Sequence, residues 1–126
     1  MNHVLFSSQK QDWETPDHIY NKLNEEFNFD FDPCPVNPEF DGLSIEWGKC
    51  NFVNPPYNKL KEWIKKAFQE YNKGKTVVLL IPARTDTKAF HDYLYNRAEI
   101  RFIKGIIKFK GAVYNAPFPS MICILK

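Results

Sequence analysis

"TVVLLIPA", residues 76–83, is a near-continuous apolar run, rich in β-branched side chains, that ends at a proline. A run with no polar face reads as a strand covered on both sides, the setting of an inner strand in a parallel sheet. Helices must then supply the covers. Upstream, Leu60, Trp63, Ile64, Ala67, Phe68 and Tyr71 recur at helical spacing, with Asn58 placed to cap the helix and Gly74 to close it. Before that helix, "KCNFVNPP" (49–56) reads as a second strand that runs into Asn54 and two prolines. Strand, helix and strand in this order predict an α/β protein.

Farther out the same reading continues. "ETPDHIYNKLNEEF" (14–27) carries a helix start, with Thr15 as N-cap, Pro16 at the first helical position and Asp17 in the first turn. Ile19, Leu23 and Phe27 follow at four-residue intervals. "FNFDFDP" (27–33) alternates Phe27, Phe29 and Phe31 with polar residues, which predicts a half-buried strand stopped by Pro33. Residues 33–48 hold three prolines and little periodicity, and read as loop. Beyond residue 83, "RTDTKAFHDYLYNRA" predicts a short helix capped by Thr85 or Asp86 and bearing Phe90, Tyr93 and Leu94. "EIRFIKGIIKFKG" and "SMICILK" supply the last strands, the first broken at Gly105 by a hairpin or bulge.

A chain of 126 residues suits one domain, 1–126, with residues 1–12 polar and expected to be flexible. Its 44% hydrophobic and 25% charged residues exclude disordered and fibrous classes. No apolar run approaches a membrane span and no secretory signal is apparent, so a cytoplasmic protein is expected. Cys34, Cys50 and Cys123 are too far apart for a metal knuckle and odd in number, so reduced thiols are expected. His3, His18 and His91 share no ligand spacing, and no metal is expected. A net charge of +2 says little about partners. Two basic groups say more: Lys59, Lys61, Lys65, Lys66, Lys73 and Lys75, then Arg101, Lys104, Lys108 and Lys110 suit a phosphate backbone.

Three strand ends are chemically unusual: Asp32-Pro33-Cys34, Asn54-Pro55-Pro56 and Pro82-Ala83-Arg84. Ligands of open α/β sheets bind beyond the carboxyl ends of the strands, where all three would meet. Neither Pro55 nor Pro56 has an N–H to donate, so the carbonyls of Asn54 and Pro55 are held in fixed directions. The Asn54 side-chain oxygen and the Pro55 carbonyl can accept both hydrogens of an exocyclic amine, while the Tyr57 ring offers a face to a flat heterocycle. Hydrogen bonds that draw such an amine toward tetrahedral geometry localise its lone pair for attack.

Asn54-Pro55-Pro56-Tyr57 matches the catalytic signature of amino methyltransferases acting on adenine N6, and almost the whole chain resembles the phage DNA N-6-adenine methyltransferase (Dam-like) family. "WETPDHIYNKL" is similar to the helix opening that borders the methyl donor, "FDFDPCP" to the first strand's acidic end and "DGLSIEW" to the adenine-edge segment. "PARTDTKAFHDYL" and "NAPFPS" resemble the phage family's own hallmarks. The resemblance implies a trimmed Rossmann-like class I methyltransferase fold with a mixed, mostly parallel sheet. It implies S-adenosyl-L-methionine as cofactor, held by Trp13, Thr15, Pro16, Asp32, Pro33, Cys34, Asp41 and Gly42, with Glu39 or Glu46 at the ribose. Asn54, Pro55, Pro56 and Tyr57 would be catalytic. Arg84, Thr85, Asp86, Lys59 and Lys108 would contact DNA, the partner, in the cytoplasm of a bacterial host. Trp47 and Trp63 are assigned to the core or its rim.

Two departures from the family pattern stand out. Asp32-Pro33-Cys34-Pro35 lacks a glycine-rich turn, and Asp32 and Asn54 stand only 22 positions apart, too close for two intervening strand–helix units. Alternatives left open are a protein or RNA amino methyltransferase and a protein of this fold that binds donor or DNA with weak or no turnover. No segment is long enough for a base-reading domain, so a short target context and salt-sensitive binding are expected, with pairing into a homodimer the alternative by which two small domains could replace that segment.

Overall fold

The computed structural model describes residues 14–112 and 114–126. Helix α1 spans Asp17–Phe27, strand β1 Cys50–Val53, helix α2 Leu60–Asn72, strand β2 Thr76–Pro82, strand β3 Glu99–Phe102 and strand β4 Ser120–Leu125. A 3-10 turn, Tyr57–Lys59, leads into α2, and a π-helical turn, Phe90–Leu94, lies between β2 and β3. The residues expected to be flexible, 1–12, lie outside the described residues. Among the described residues no helix is long and apolar enough to cross a membrane.

The α/β class and the mixed sheet are found. The strands lie in the order β1-β2-β4-β3, with β1 parallel to β2 and β4 antiparallel to both of its neighbours. Three strands therefore point the same way. Because β4 is inserted between β2 and β3, however, one of the three pairings is parallel, and the expected mostly parallel pairing is not what forms.

Period-2 alternation splits the sheet's side chains between two cores. Val53, Val77, Leu79, Ile81, Met121, Cys123 and Leu125 face α2 and the π-helical turn, packing on Trp47, Trp63, Ile64, Ala67, Phe90 and Leu94. Phe52, Val78, Leu80, Ile122 and Ile124 face α1, packing on Leu23, Ile107, Phe109 and Ala116. The β2 run is buried throughout, apart from a half-buried Thr76, as its composition requires. Trp47 and Trp63 are core residues with stacked rings 6.0 Å apart.

Several local expectations are corrected. "FNFDFDP" forms no regular strand. Asn28 is left-handed (φ 57°), and the Asp30 carboxylate accepts the N–H groups of Lys49 and Cys50. Only an isolated parallel bridge from Phe31 to Asn51 remains. Phe27 and Phe29 join the α1 core while Phe31 packs on the other, so the alternation does not define one face. Gly48 is required here, since a Cβ would stand 2.5 Å from Asp30 Oδ1 and 2.7 Å from the Phe31 Cβ. The break at Gly105 (φ +80°) makes no hairpin. Instead residues 103–112 and 114–119 leave the sheet and cover its α1 face, burying Ile107, Phe109 and Ala116. The helix after β2 takes its cap from Thr87, whose Oγ1 accepts the Phe90 N–H at 3.3 Å, and not from Thr85 or Asp86. Asn58 lies inside the 3-10 turn and does not cap α2, whereas Gly74 (φ +94°) closes α2 as expected.

Candidate active site

β1 and β2 are parallel, and the segment ending at Asp32 bridges β1 in the same sense, so Asp32, Asn54 and Pro82 close one edge of the sheet. β3 also ends there and β4 begins there, since Phe102 pairs with Met121 and Pro82 with Ser120. The three unusual strand ends are thus brought together.

Asn54, Pro55 and Pro56 are buried, Asn54 with 2% of its surface exposed. Asn54 Nδ2 donates to Thr15 Oγ1 at 3.1 Å, which fixes the amide plane. Thr15 is not the N-cap of α1. Pro16 occupies that position, no side chain caps the helix, and the N–H groups of Ile19 and Tyr20 reach the Pro16 carbonyl. Tyr57 opens the 3-10 turn, and its ring meets Phe118 edge-on (centroids 4.9 Å, planes at 90°) and Phe109 at 6.5 Å. Burial pushes the Tyr57 hydroxyl well above its ordinary pKa, against the opposing pull of Arg84. The phenol therefore stays protonated, and what Tyr57 offers is its ring. The Arg84 guanidinium lies over the Phe118 ring at 5.7 Å.

Beside these residues opens a cleft of about 370 Å³, lined by Glu14, Thr15, Asp17, Tyr20, Asp32 and Cys34, among others. Three carboxylates in its lining, Glu14 and Asp17 of them paired with Lys110 at 3.7 and 3.1 Å, favour a cationic occupant. Asp32 Oδ1 accepts the Cys34 N–H at 2.9 Å, so the acid itself folds the proline turn that replaces a glycine-rich one. Burial, helped by the Asp32 charge, raises the Tyr20 hydroxyl pKa. Cys34 also lines a second, narrower slot with Phe40, Asp41, Gly42, Leu43 and Pro56. Asp41 Oδ1 accepts the Leu43 N–H at 3.0 Å, and Trp47 Nε1 donates to the Gly42 carbonyl at 2.7 Å, which sets the turn. A Cβ on Gly42 would overlap the Pro33 carbonyl and stand 2.6 Å from the Trp63 ring, so only glycine lets the Asp32 and Asp41 loops meet.

Of the residues expected at the donor, Thr15, Asp32 and Cys34 line the cleft, and Pro33, Cys34, Asp41 and Gly42 line the slot. Pro16 is buried at the start of α1 and lines neither, while Trp13 lies outside the described residues. Glu46 is drawn to the opposite end of α2, where it pairs with Lys73 at 3.3 Å, and Glu39 lines neither cavity. Among the expected DNA contacts, Arg84, Thr85, Asp86, Lys59 and Lys108 are all exposed. The Thr85 carbonyl is engaged by His91 Nε2 at 2.7 Å.

The two basic groups do not stay whole. Lys66, Lys73 and Lys75 surround Glu70, Arg101 chelates Glu26 at 2.7 and 2.8 Å, and Lys110 pairs with Asp17 at 3.1 Å. Lys59, Lys61, Lys65, Lys104 and Lys108 make no ion pair among the described residues. Sequence reasoning missed Phe109 and Phe118 as neighbours of Tyr57, although Phe118 sits inside the "NAPFPS" hallmark. It also missed Glu14, Asp17 and Tyr20, whose place on the α1 stretch was already marked as bordering the donor. No disulfide joins Cys34, Cys50 and Cys123, and among the described residues no group of three or more His, Cys, Asp or Glu is placed to hold a metal ion.

Comparisons with known proteins agree on one family. Residues 3–121 match the family described as DNA N-6-adenine-methyltransferase (Dam). A DNA N-6-adenine-methyltransferase of Haemophilus phage HP1 (strain HP1c1) is 31% identical over 110 residues, covering 76% of this chain and 64% of the relative. A second, from Escherichia phage T1, is 27% identical over 106 residues, covering 74% of this chain and 44% of the relative. The chain spans less than two thirds of the length of either relative. With the family match running through nearly all of its sequence, this chain belongs to the DNA N-6-adenine-methyltransferase (Dam) family.

Proposed function

We propose that this chain transfers a methyl group from S-adenosyl-L-methionine to the N6 amine of adenine in DNA. The observation that carries the reading is that Asn54-Pro55-Pro56-Tyr57 and an acid-lined cleft share one edge of the sheet, joined by the bond from Asn54 to Thr15 and by Pro56 in the neighbouring slot. The family membership supports it, as the family's description names adenine N6 as the methylated position. The finer fold assignment, a trimmed Rossmann-like class I methyltransferase in one domain, belongs to the same proposal. It is supported by three strands in one direction with an antiparallel β4 between the last two.

The residues present fit the donor. Asp32, Glu14 and Asp17 suit a molecule with ammonium and sulfonium charges, and the slot by Asp41, Phe40 and Pro56 suits the edge and faces of an adenine ring. When bound, the donor supplies an electrophilic methyl group. The chain's own residues do the rest. Asn54 Oδ1 and the Pro55 carbonyl accept the two hydrogens of the target amine and draw its lone pair out of conjugation, an arrangement worth most in a site closed to water. The fixed φ of the prolines restricts the direction of the Pro55 carbonyl, and the bond to Thr15 holds the Asn54 amide. Tyr57 stacks on the flipped-out or single-stranded adenine, braced from the side by the edge contact with Phe118. No strong base is needed next to the amine, since its proton is acidic once methylated.

DNA would be held by Arg84, Lys59 and Lys108, with Lys61, Lys65 and Lys104 adding phosphate contacts. Such contacts are blind to sequence, so target context is short and affinity falls steeply with salt. Labelled methyl transfer from S-adenosylmethionine to DNA oligonucleotides with and without adenine tests the proposal. Incorporation confined to adenine-containing DNA is expected. Incorporation into RNA or protein alone, or donor binding with no transfer to any acceptor, would replace it with one of the readings left open by the sequence.

A further inference from the structure

Thr15 has the residue type of a helix cap and stands one residue before the cap position, yet its hydroxyl is spent elsewhere: it accepts from Asn54 Nδ2 at 3.1 Å, across 39 positions of sequence. Asn54 is 2% exposed, so this bond is shielded from water. Thr15 also lines the acid-rich cleft between Glu14 and Asp17. Its backbone is not loose. The Glu14 carbonyl accepts the Lys110 N–H at 2.8 Å, and Lys110 Nζ reaches Asp17 at 3.1 Å. One hydroxyl, pinned on both sides, therefore stands between the donor cleft and the side chain at the end of β1.

We propose that Thr15 is the positioning residue of Asn54, pinning its amide plane at the end of β1. This rests on the assignment of Asn54 to the target amine. An asparagine amide presents acceptor and donor at corners that exchange when the group turns over. With the NH2 corner toward the target, two donors would oppose each other and no lone pair would be localised. The Thr15 hydroxyl pins the plane of the amide, and in the pairing found it accepts from Nδ2, which leaves Oδ1 on the opposite corner. The hydroxyl thereby joins the cleft to the reacting end, so the segment that borders the donor also orients the acceptor residue.

Thr15→Val replaces the hydroxyl by a methyl of the same shape, and Thr15→Ser keeps the hydroxyl. Thr15→Val is expected to lower kcat about 10 to 100 fold, the cost of a misplaced reacting group, with Tm nearly unchanged and with S-adenosylmethionine affinity by calorimetry reduced far less than kcat, since Thr15 also lines the donor cleft. Thr15→Ser is expected to recover most of that loss. Wild-type kcat in Thr15→Val, or a loss of donor affinity as large as the loss of turnover, would overturn the proposal. A second readout does not depend on turnover: the Asn54 side-chain amide hydrogens, followed by NMR, should lose their exchange protection in Thr15→Val and keep it in Thr15→Ser. If no chain transfers methyl, the assignment of Asn54 to the reaction fails on its own. An Asn54 amide signal unaltered by Thr15→Val would show instead that Thr15 does not hold it.

Discussion

Asn54 and Glu70 are buried polar side chains at opposite ends of the molecule, 2% and 0% exposed, and they are held in opposite ways. Glu70 is wrapped. Its carboxylate accepts from the Trp47 N–H at 3.1 Å and from the ammonium groups of Lys66, Lys73 and Lys75. Burial alone would raise its pKa, yet these donors win and bring it down to about 2. That cluster ties the end of α2 to the start of β2 and to the loop at Trp47. Asn54 is an uncharged amide held from the α1 side by Thr15, at an edge where acids line a cleft. Where cations enclose a carboxylate the chemistry is spent on stability. Where a neutral amide is oriented at the edge that carries the acid-lined cleft, the arrangement fits the proposed ligand site.

The largest effect should come from the wrapped end. Glu70→Ala leaves three lysines facing one another without their anion and is expected to cost roughly 3 kcal/mol, the low end for a broken buried pair because Lys73 is half exposed. Chemical denaturation would measure it, and the folded fraction should turn over normally. The same residue sets an acid limit. A carboxyl depressed from 4.5 to about 2 on folding contributes stability that is complete above pH 4.5 and is lost as pH falls toward 2. Wild type should therefore lose more stability over that window than Glu70→Gln; parallel curves would show that the cluster contributes nothing.

At the other end, Asn54→Ala should lower kcat by on the order of 10² to 10³ fold while leaving Tm and donor affinity close to wild type. A drop in stability matching that of Glu70→Ala would erase the contrast between the two ends. Gly42→Ala should be smaller, about 1 to 3 kcal/mol of overpacking at the Pro33 carbonyl and Trp63, with weakened donor binding as the accompanying sign. Calorimetry showing full donor affinity would remove the slot from the site. Smallest is Tyr57. Loss of the ring in Tyr57→Ala should cost about 10 to 100 fold in kcat/KM, and Tyr57→Phe little, because the hydroxyl stays protonated and stacking needs only the ring. A Phe variant as impaired as the Ala variant would assign chemistry to the hydroxyl.

The wrapped end and the open end also differ in how far they could be read from sequence. β2 was legible because an uninterrupted branched apolar run has one stable setting, and Asn54-Pro55-Pro56-Tyr57 because two prolines at a strand end are chemically distinctive. Asp32 was placed at the right edge for an imperfect reason, since its strand is reduced to one bridge by Asn28 and the side chain of Asp30. Phe109 and Phe118 were illegible as partners of Tyr57. They reach it through residues 103–112 and 114–119, which have no periodicity and are placed by tertiary contacts. Glu70 had a signal that went unused, for it follows Trp63 and Ala67 at helical spacing and so shares their buried face. The lysine groups misled because proximity in sequence does not reveal which cations an internal carboxylate will claim.

The central claim is that the Asn54 edge methylates adenine N6. Its most direct test is to incubate the chain with S-adenosylmethionine and adenine-containing DNA, digest the DNA to nucleosides, and quantify N6-methyladenine by mass spectrometry, alongside Asn54→Ala. N6-methyladenine in the wild-type reaction and almost none with Asn54→Ala is the predicted result. Methylation at another atom or base, or equal N6-methyladenine from both proteins, would contradict it.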